Sequence, residues 1–234
     1  VDADELKLNN LQQKFGLKNI STNPLDFLNK VEFVLLAVKP QSLEGLCGQV
    51  GDKLEDKTLI SIMAGVSMSK IQKLTGCNKI IRSMPNLAVS VQNSVIGYLA
   101  SSEVSLEQKN KVKNIFEKLG YSLELEIEGD IDKITALSGS GPAYYFYLTE
   151  ILQQKAVEFG FDQETAQKIA ENTLIGAANL VKENNFDAKT WKEMVTSKGG
   201  TTEAALLEME QNNFPEIFKK SLDKARNRAV ELGE

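Results

Sequence analysis

The stretch Ile134–Leu148, ITALSGSGPAYYFYL, decides how this chain is divided. Ser138-Gly139-Ser140-Gly141-Pro142 has the composition of a flexible turn, yet apolar residues flank it on both sides, unlike a linker. Glycine inside a helix costs roughly 1 kcal/mol relative to alanine. Two glycines and a proline therefore predict either a plain interhelical turn or a place where another backbone or a ligand comes close. Ala136, Leu137, Ala143, Tyr144 and Tyr145 keep the flanks apolar, which favours close approach. Thr135 and the serines supply hydroxyls.

Downstream of this stretch the pattern is helical. Amphipathic segments run through residues 141–160, 162–184 and 212–232, and no strand is expected from Asp130 onward. LIGAANL (Leu174–Leu180) is apolar nearly all round and must be buried, either against a second subunit or against the chain's own sheet domain. Upstream, strand-like runs alternate with helix-like ones. VEFVLLAV (Val31–Val38) suits a strand buried on both faces. Strands are also expected at Thr58–Ala64, Lys79–Pro85, Ser94–Ala100 and Tyr121–Ile127, the last an edge strand because apolar and acidic residues alternate along it. Helices are expected over Ser42–Leu54, Ser67–Leu74 and Leu106–Leu119. The alternation predicts an α/β domain with a mostly parallel, doubly wound sheet over residues 1–129, then an all-α domain over 130–234.

Composition narrows the chemistry. Lys plus Arg is 27 and Asp plus Glu is 32, a net charge of −5, which argues against a nucleic-acid partner. No apolar run is long enough for a membrane span, so no membrane partner is expected. Histidine is absent, which removes imidazole bases, His-based triads and the commonest zinc sets. Cys47 and Cys77 have no metal-ligand spacing, so no metal site is expected and a reducing, cytoplasmic setting fits. An enzyme of this composition would rely on a borrowed cofactor.

Ligands of open α/β sheets bind beyond the carboxyl ends of the strands. Three motifs fall there: AVKP (Ala37, Val38, Lys39, Pro40), Ala64-Gly65 in SIMAGVS, and Asn86 after RSMP. Each alone reads equally well as a turn; together they would open on one edge, suited to a nicotinamide dinucleotide. At Ala64-Gly65 a missing side chain would let a flat ring or ribose approach. TSKGGTTEAAL (Thr196–Leu206) places Ser197, Gly199, Gly200, Thr201 and Thr202 ahead of a helix expected near Glu203. Backbone N–H groups at a helix start make an anion site for a carboxylate or phosphate. The plainer reading is Thr202 as an N-cap.

In this order, AVKPQ, AGVS, RSMPN, DKITALSGSGPAYYFYL and VTSKGGTTEAAL resemble the pyrroline-5-carboxylate reductase family over essentially the whole chain. TALSGSGPAY and GGTT are the specific blocks. The resemblance implies a Rossmann-like domain followed by a helical dimerisation domain. It implies hydride transfer from NADPH or NADH to the C=N carbon of 1-pyrroline-5-carboxylate, giving L-proline in the last step of proline biosynthesis. It further implies a homodimer with interlocked helical domains, and often decamers built of dimers. Carried onto this chain, Ala37, Val38, Lys39, Pro40, Ala64, Gly65 and Asn86 would touch the cofactor. Ser197, Gly199, Gly200, Thr201 and Thr202 would hold the substrate carboxylate. Thr135 would lie near the ring nitrogen as the catalytic residue, with Pro142 close by, and Glu128 matches a substrate-side acid. The Ser-Gly-Ser-Gly-Pro run then resembles a packing segment at the substrate site rather than a hinge.

Three departures stand out. Lys198 occupies a position where the family often has Pro, and Leu87-Ala88 follows MPN where Thr-Pro is usual. No GxGxxG occurs in the chain; the family carries one on its first strand-turn-helix unit, so about 25 residues of strand, helix and strand are expected ahead of Val1. Asp2 and Asp4 would follow the second strand, where an acid favours NADH. Two other readings are open to the sequence: a reductase of the 3-hydroxyacid dehydrogenase type, whose catalytic lysine only Lys198 approaches, and a non-catalytic oligomeric scaffold.

Overall fold

A computed structural model describes residues 1–183 and 186–233. The expected helix end at Asn184 and the last residue of the expected second domain lie outside the described residues. The chain divides into two compact units, Val1–Thr135 with the segment from Asn227 onward, and Ala136–Arg226.

In the first unit five strands form one sheet in sequential order: β1 (Phe33–Leu36), β2 (Thr58–Ser61), β3 (Ile80–Met84), β4 (Ser94–Ala100) and β5 (Gly120–Glu124). All neighbours run parallel except β3 and β4, which are antiparallel. The side-chain alternation of a strand explains the two cores. Val34, Leu59 and Ile80 point to one face and meet α3 (Leu43–Val50) and α4 (Met68–Thr75) through Leu43, Cys47 and Ile71. Phe33, Ile60 and Ile81 point to the other and meet α5 (Leu106–Leu119) through Val112 and Phe116. Helices cover both faces, as the alternating pattern predicted. Helix α5 starts on a complete capping box, Ser105 and Gln108 each bonding the other's backbone N–H.

The strand at Val31–Val38 differs from expectation. Only Phe33–Leu36 pairs, with β2 alone, and Leu35 is 57% exposed. β1 lies at one end of the described sheet. β5 lies at the other end, as its alternation indicated. Ahead of β1, Asp4 caps helix α1 (Glu5–Phe15) by accepting from Lys7 N, and α2 (Leu25–Leu28) is a single turn.

The connection from β5 leads into α6 (Asp130–Ile134), the last helix of the first unit before the boundary. Gly97 on β4 makes room for it: an added Cβ there would lie 2.9 Å from Ile134 Cγ1. The second unit is helical throughout its described residues: α7 (Gly141–Glu158), α8 (Gln163–Glu183), α9 (Ala188–Met194), α10 (Thr201–Gln211) and the larger part of α11 (Phe214–Glu231). Helices α7 and α8 pack on each other, and Ala156, Ala166 and Ala170 are buried there because small side chains let helices approach closely. Ile175 and Leu180 of LIGAANL are exposed on the single chain, which leaves the expected burial against a second subunit open. No described helix is long and apolar enough to cross a membrane.

Candidate active site

The parallel register aligns Leu36 with Ser61 and Ser61 with Arg82, so the exits of β1, β2 and β3 open on one edge. At the first exit Ala37 and Lys39 are exposed and Val38 and Pro40 half-buried. Pro40 opens a 3-10 turn, closed by Ser42 N donating to the Lys39 carbonyl at 2.8 Å. At the second exit Ala64 is half-buried. Gly65 is in the left-handed region (φ 74°), and an added Cβ would lie 2.7 Å from Leu232. The close approach expected of a ring or ribose at Gly65 is thus made by the chain's own C-terminal segment; a missing side chain in the sequence cannot say which neighbour uses the space. At the third exit Asn86 Oδ1 accepts from Ala88 N at 2.9 Å, and Asn86 N donates to Ser94 Oγ at 3.0 Å. Asn86 is therefore fixed from both ends, half-buried at the rim.

Glu128 sits on the same unit. Its Oε1 accepts from Met68 N at 2.7 Å and from Arg82 Nη1 at 2.9 Å. Met68 is the first residue of α4, so the carboxylate also meets the positive end of that helix. Asp132 Oδ1 accepts from Arg82 Nη2 at 3.2 Å. Thr135 follows α6 directly; its hydroxyl donates to the Ile131 carbonyl at 2.7 Å. That bond uses the one hydroxyl proton and leaves oxygen lone pairs to accept from a ligand N–H.

The deciding stretch is neither a linker nor an ordinary turn. Thr135–Gly139 is a π-helical turn, and α7 resumes at Gly141 with Pro142 in its first turn, where a proline lacks only a donor the helix leaves unbonded. An added Cβ at Gly141 would meet no described atom within 4 Å, so the close approach expected of this run is not made by its own chain there. Tyr144 Oη donates to the Ala136 carbonyl at 2.9 Å and its ring meets Phe218 edge-on, which fixes the turn from its second side.

The remaining candidates surround the start of α10. Gly200 is its N-cap, with no side-chain cap, so the plainer reading of Thr202 as cap does not hold. The helix begins two residues earlier than expected, at Thr201, because Gly200 N donates to the Ser197 carbonyl at 3.0 Å and turns the chain. Gly199, in the left-handed region (φ 74°), donates its N–H to Glu203 Oε2 at 2.6 Å. A carboxylate thus already occupies one donor of this turn. Ser197, Gly199 and Thr201 are exposed; Gly200 and Thr202 are half-buried.

Burial pushes the thiols of Cys47 and Cys77 up from the usual range, and Cys77 Sγ donates to the Lys57 carbonyl at 3.1 Å. Among the described residues no group of three His, Cys, Asp or Glu side chains is placed to hold a metal ion. The residues the sequence reading missed are Arg82 and Asp132. The signal was present: an arginine inside the apolar strand IIRSM must find a buried anion, because an unpaired buried charge is too costly.

Residues 128–232 match the family model described as pyrroline-5-carboxylate reductase dimerisation, and residues 1–65 match that of NADP oxidoreductase, coenzyme F420-dependent. The pyrroline-5-carboxylate reductase of Pseudomonas aeruginosa is 32% identical, over 94% of this chain and 81% of that protein. The structure of a pyrroline-5-carboxylate reductase from Coxiella burnetii superposes with a TM-score of 0.88 at 36% identity, covering 100% of this chain and 87% of that one. That of Plasmodium falciparum pyrroline carboxylate reductase with NADP bound gives 0.82 at 28% identity, covering 92% and 82%.

Proposed function

The chain belongs to the pyrroline-5-carboxylate reductase family, and we propose how its own residues carry out that family's reaction. It is an NAD(P)H-dependent oxidoreductase: hydride passes to the C=N carbon of 1-pyrroline-5-carboxylate, giving L-proline. The observation that carries the assignment of roles is the common edge formed by the exits of β1, β2 and β3, next to which Glu128 is held.

A dinucleotide needs a rim of small, accessible residues where strands end. Ala37, Val38, Lys39, Pro40, Ala64 and Asn86 supply one, and Gly65 turns the chain behind it. NADPH or NADH, when bound, supplies the hydride. The substrate's carboxylate goes to the Ser197–Thr202 turn, whose Gly199 N–H already takes a carboxylate from Glu203. Pro142 fixes the first turn of α7 beside the π-helical turn.

The ring nitrogen is an iminium when protonated, so the carbon is already electrophilic and no strong acid is required. Addition of hydride to C=NH⁺ yields a neutral secondary amine; no proton is transferred in that step. The work left to the protein is positioning and charge control. Thr135, its proton committed to Ile131, accepts the iminium N–H and aligns the ring. Glu128 supplies the compensating negative charge.

The functional division falls at 129/130, with the cofactor on the first part and dimerisation and substrate binding on the second. The family model for residues 128–232 supports a homodimer, and decamers built of five dimers are the larger assembly we propose. Two unpaired, buried thiols and an acidic net charge favour a cytoplasmic setting without nucleic-acid partners.

The test is nicotinamide absorbance with pyrroline-5-carboxylate, NADPH and NADH in parallel. Turnover with either is expected, and its absence in a folded protein would overturn the reading. Thr135→Ala should lower kcat about 10- to 100-fold, the cost of a lost bond to a charged group, with little change in cofactor KM. A change confined to cofactor KM would remove Thr135 from the nitrogen.

A further inference from the structure

Arg82 is 3% exposed in β3, between β2 and β4. A guanidinium there is tolerated only with partners that replace water. Its two terminal nitrogens divide between two carboxylates four residues apart, Glu128 at 2.9 Å and Asp132 at 3.2 Å. Among the described residues the hydrogen bonds of Glu128 fall on one oxygen, Oε1, which takes both Arg82 and Met68 N. The side chain of Glu128 is one-third exposed while that of Arg82 is 4% exposed, so the cluster opens outward through Glu128. One cation against two carboxylates leaves a net charge of −1, the sign that suits a cationic iminium.

The cluster also ties together separate parts of the cofactor edge. Arg82 lies four residues before Asn86 on the third exit. Met68 lies three residues after Gly65 on the second. Glu128 is bound to both, so its position is set by the same backbone that forms the rim.

We propose that Arg82 is a positioning residue for the reaction: by holding Oε1 of Glu128, it sets the other carboxylate oxygen as a counter-charge beside the iminium, whose single N–H goes to Thr135. This rests on the reading of Glu128 as the substrate-side acid. A planar fork is needed because the two carboxylates take different terminal nitrogens, Nη1 and Nη2; a lysine is a point charge without that fork. Fixing a reacting geometry through a supporting shell is worth far more than its own contact energy, because small misplacements are costly in rate.

The experiment is a double-mutant cycle of Arg82→Lys and Glu128→Gln in the full-length protein, read as kcat/KM for the imine and KM for the cofactor. Arg82→Lys should lower imine kcat/KM about 10- to 100-fold, with cofactor KM within about twofold. In the Glu128→Gln background the same change should cost nothing further. Losses that multiply, or a parallel rise in cofactor KM, would show a merely structural arginine and overturn the proposal. Should Arg82→Lys not fold, Asp132→Asn replaces it in the cycle, loosening the guanidinium from its other side. The expected loss is then about threefold, vanishing in the Glu128→Gln background, and a loss that persists there overturns the proposal. Absence of turnover by the unaltered protein would reject the reductase reading, and the role of Arg82 falls with it; turnover with additive losses rejects Arg82 alone.

Discussion

The two units of this chain solve the problem of burial in different ways. In the first, Leu59, Ile71, Ile81 and Ile96 are completely covered, and even a charged side chain, Arg82, is buried against its anions. In the second, Tyr145, Phe146, Tyr147, Leu148, Ile151 and Leu152 lie exposed in succession along α7, while the buried positions are chiefly alanines. One unit has a finished core; the other leaves apolar side chains uncovered round α7. A soluble monomer rarely exposes a patch of this kind, and a second copy of the chain is what a dimerisation domain would set against it. The comparison teaches that apolar side chains can be closed into a core in one part of a chain and left uncovered in another.

The contrast is open to attack. Ile81→Ala should lower the free energy of unfolding by about 2–5 kcal/mol, the usual cost of emptying a packed core, and by the same amount at every protein concentration. Denaturant unfolding at several concentrations checks this; a loss below about 1 kcal/mol would break the claim that the sheet unit is closed on itself.

A second probe uses Tyr98, fully buried on β4 against Phe116. Burial, reinforced by the charge of Glu124 and by the long bond to it, pushes the phenol from 10.0 up to about 12. Below pH about 10 the folded and unfolded phenols are both protonated and stability does not depend on this group. As pH rises from about 10 to 12 the unfolded phenol ionises first, so stability falls, by roughly 2–3 kcal/mol in all. Unfolding free energies between pH 9 and 11, wild type against Tyr98→Phe, should show the steeper decline in the wild type. Parallel curves would mean that the enclosure of this side of the sheet has been overstated.

The smallest expected effect tests the other unit. Phe146→Asp on α7 should raise the dimer dissociation constant about 10-fold while leaving the circular dichroism of the helices unchanged. Sedimentation that stays dimeric would place the assembly face elsewhere.

Much of the layout was legible. Ser94–Ala100 and Leu106–Leu119 were read to the residue, because turn signals and a capping box punctuate the chain at those points. Strand ends elsewhere were less so: Val31–Val38 pairs only over Phe33–Leu36, since a strand stops where its neighbour stops. Of the site, the three strand exits were legible as strand followed by Pro or Gly. The π-helical turn at Thr135–Gly139 was not, since a shift of hydrogen-bond register leaves no compositional mark. Arg82 was visible as a charge in an apolar strand, but its partners lie 46 and 50 residues away.

The sequence by itself determined the class of the fold, the order of its strands and the family, because periodicity, turn chemistry and motif order are properties of neighbouring residues. Tertiary structure alone decided that Gly65 is filled by Leu232, that Glu203 occupies the Gly199 N–H, and that one guanidinium binds Glu128 to strand β3. Those are facts of which atoms meet, set by how strands and helices pack in three dimensions, and no local pattern encodes them.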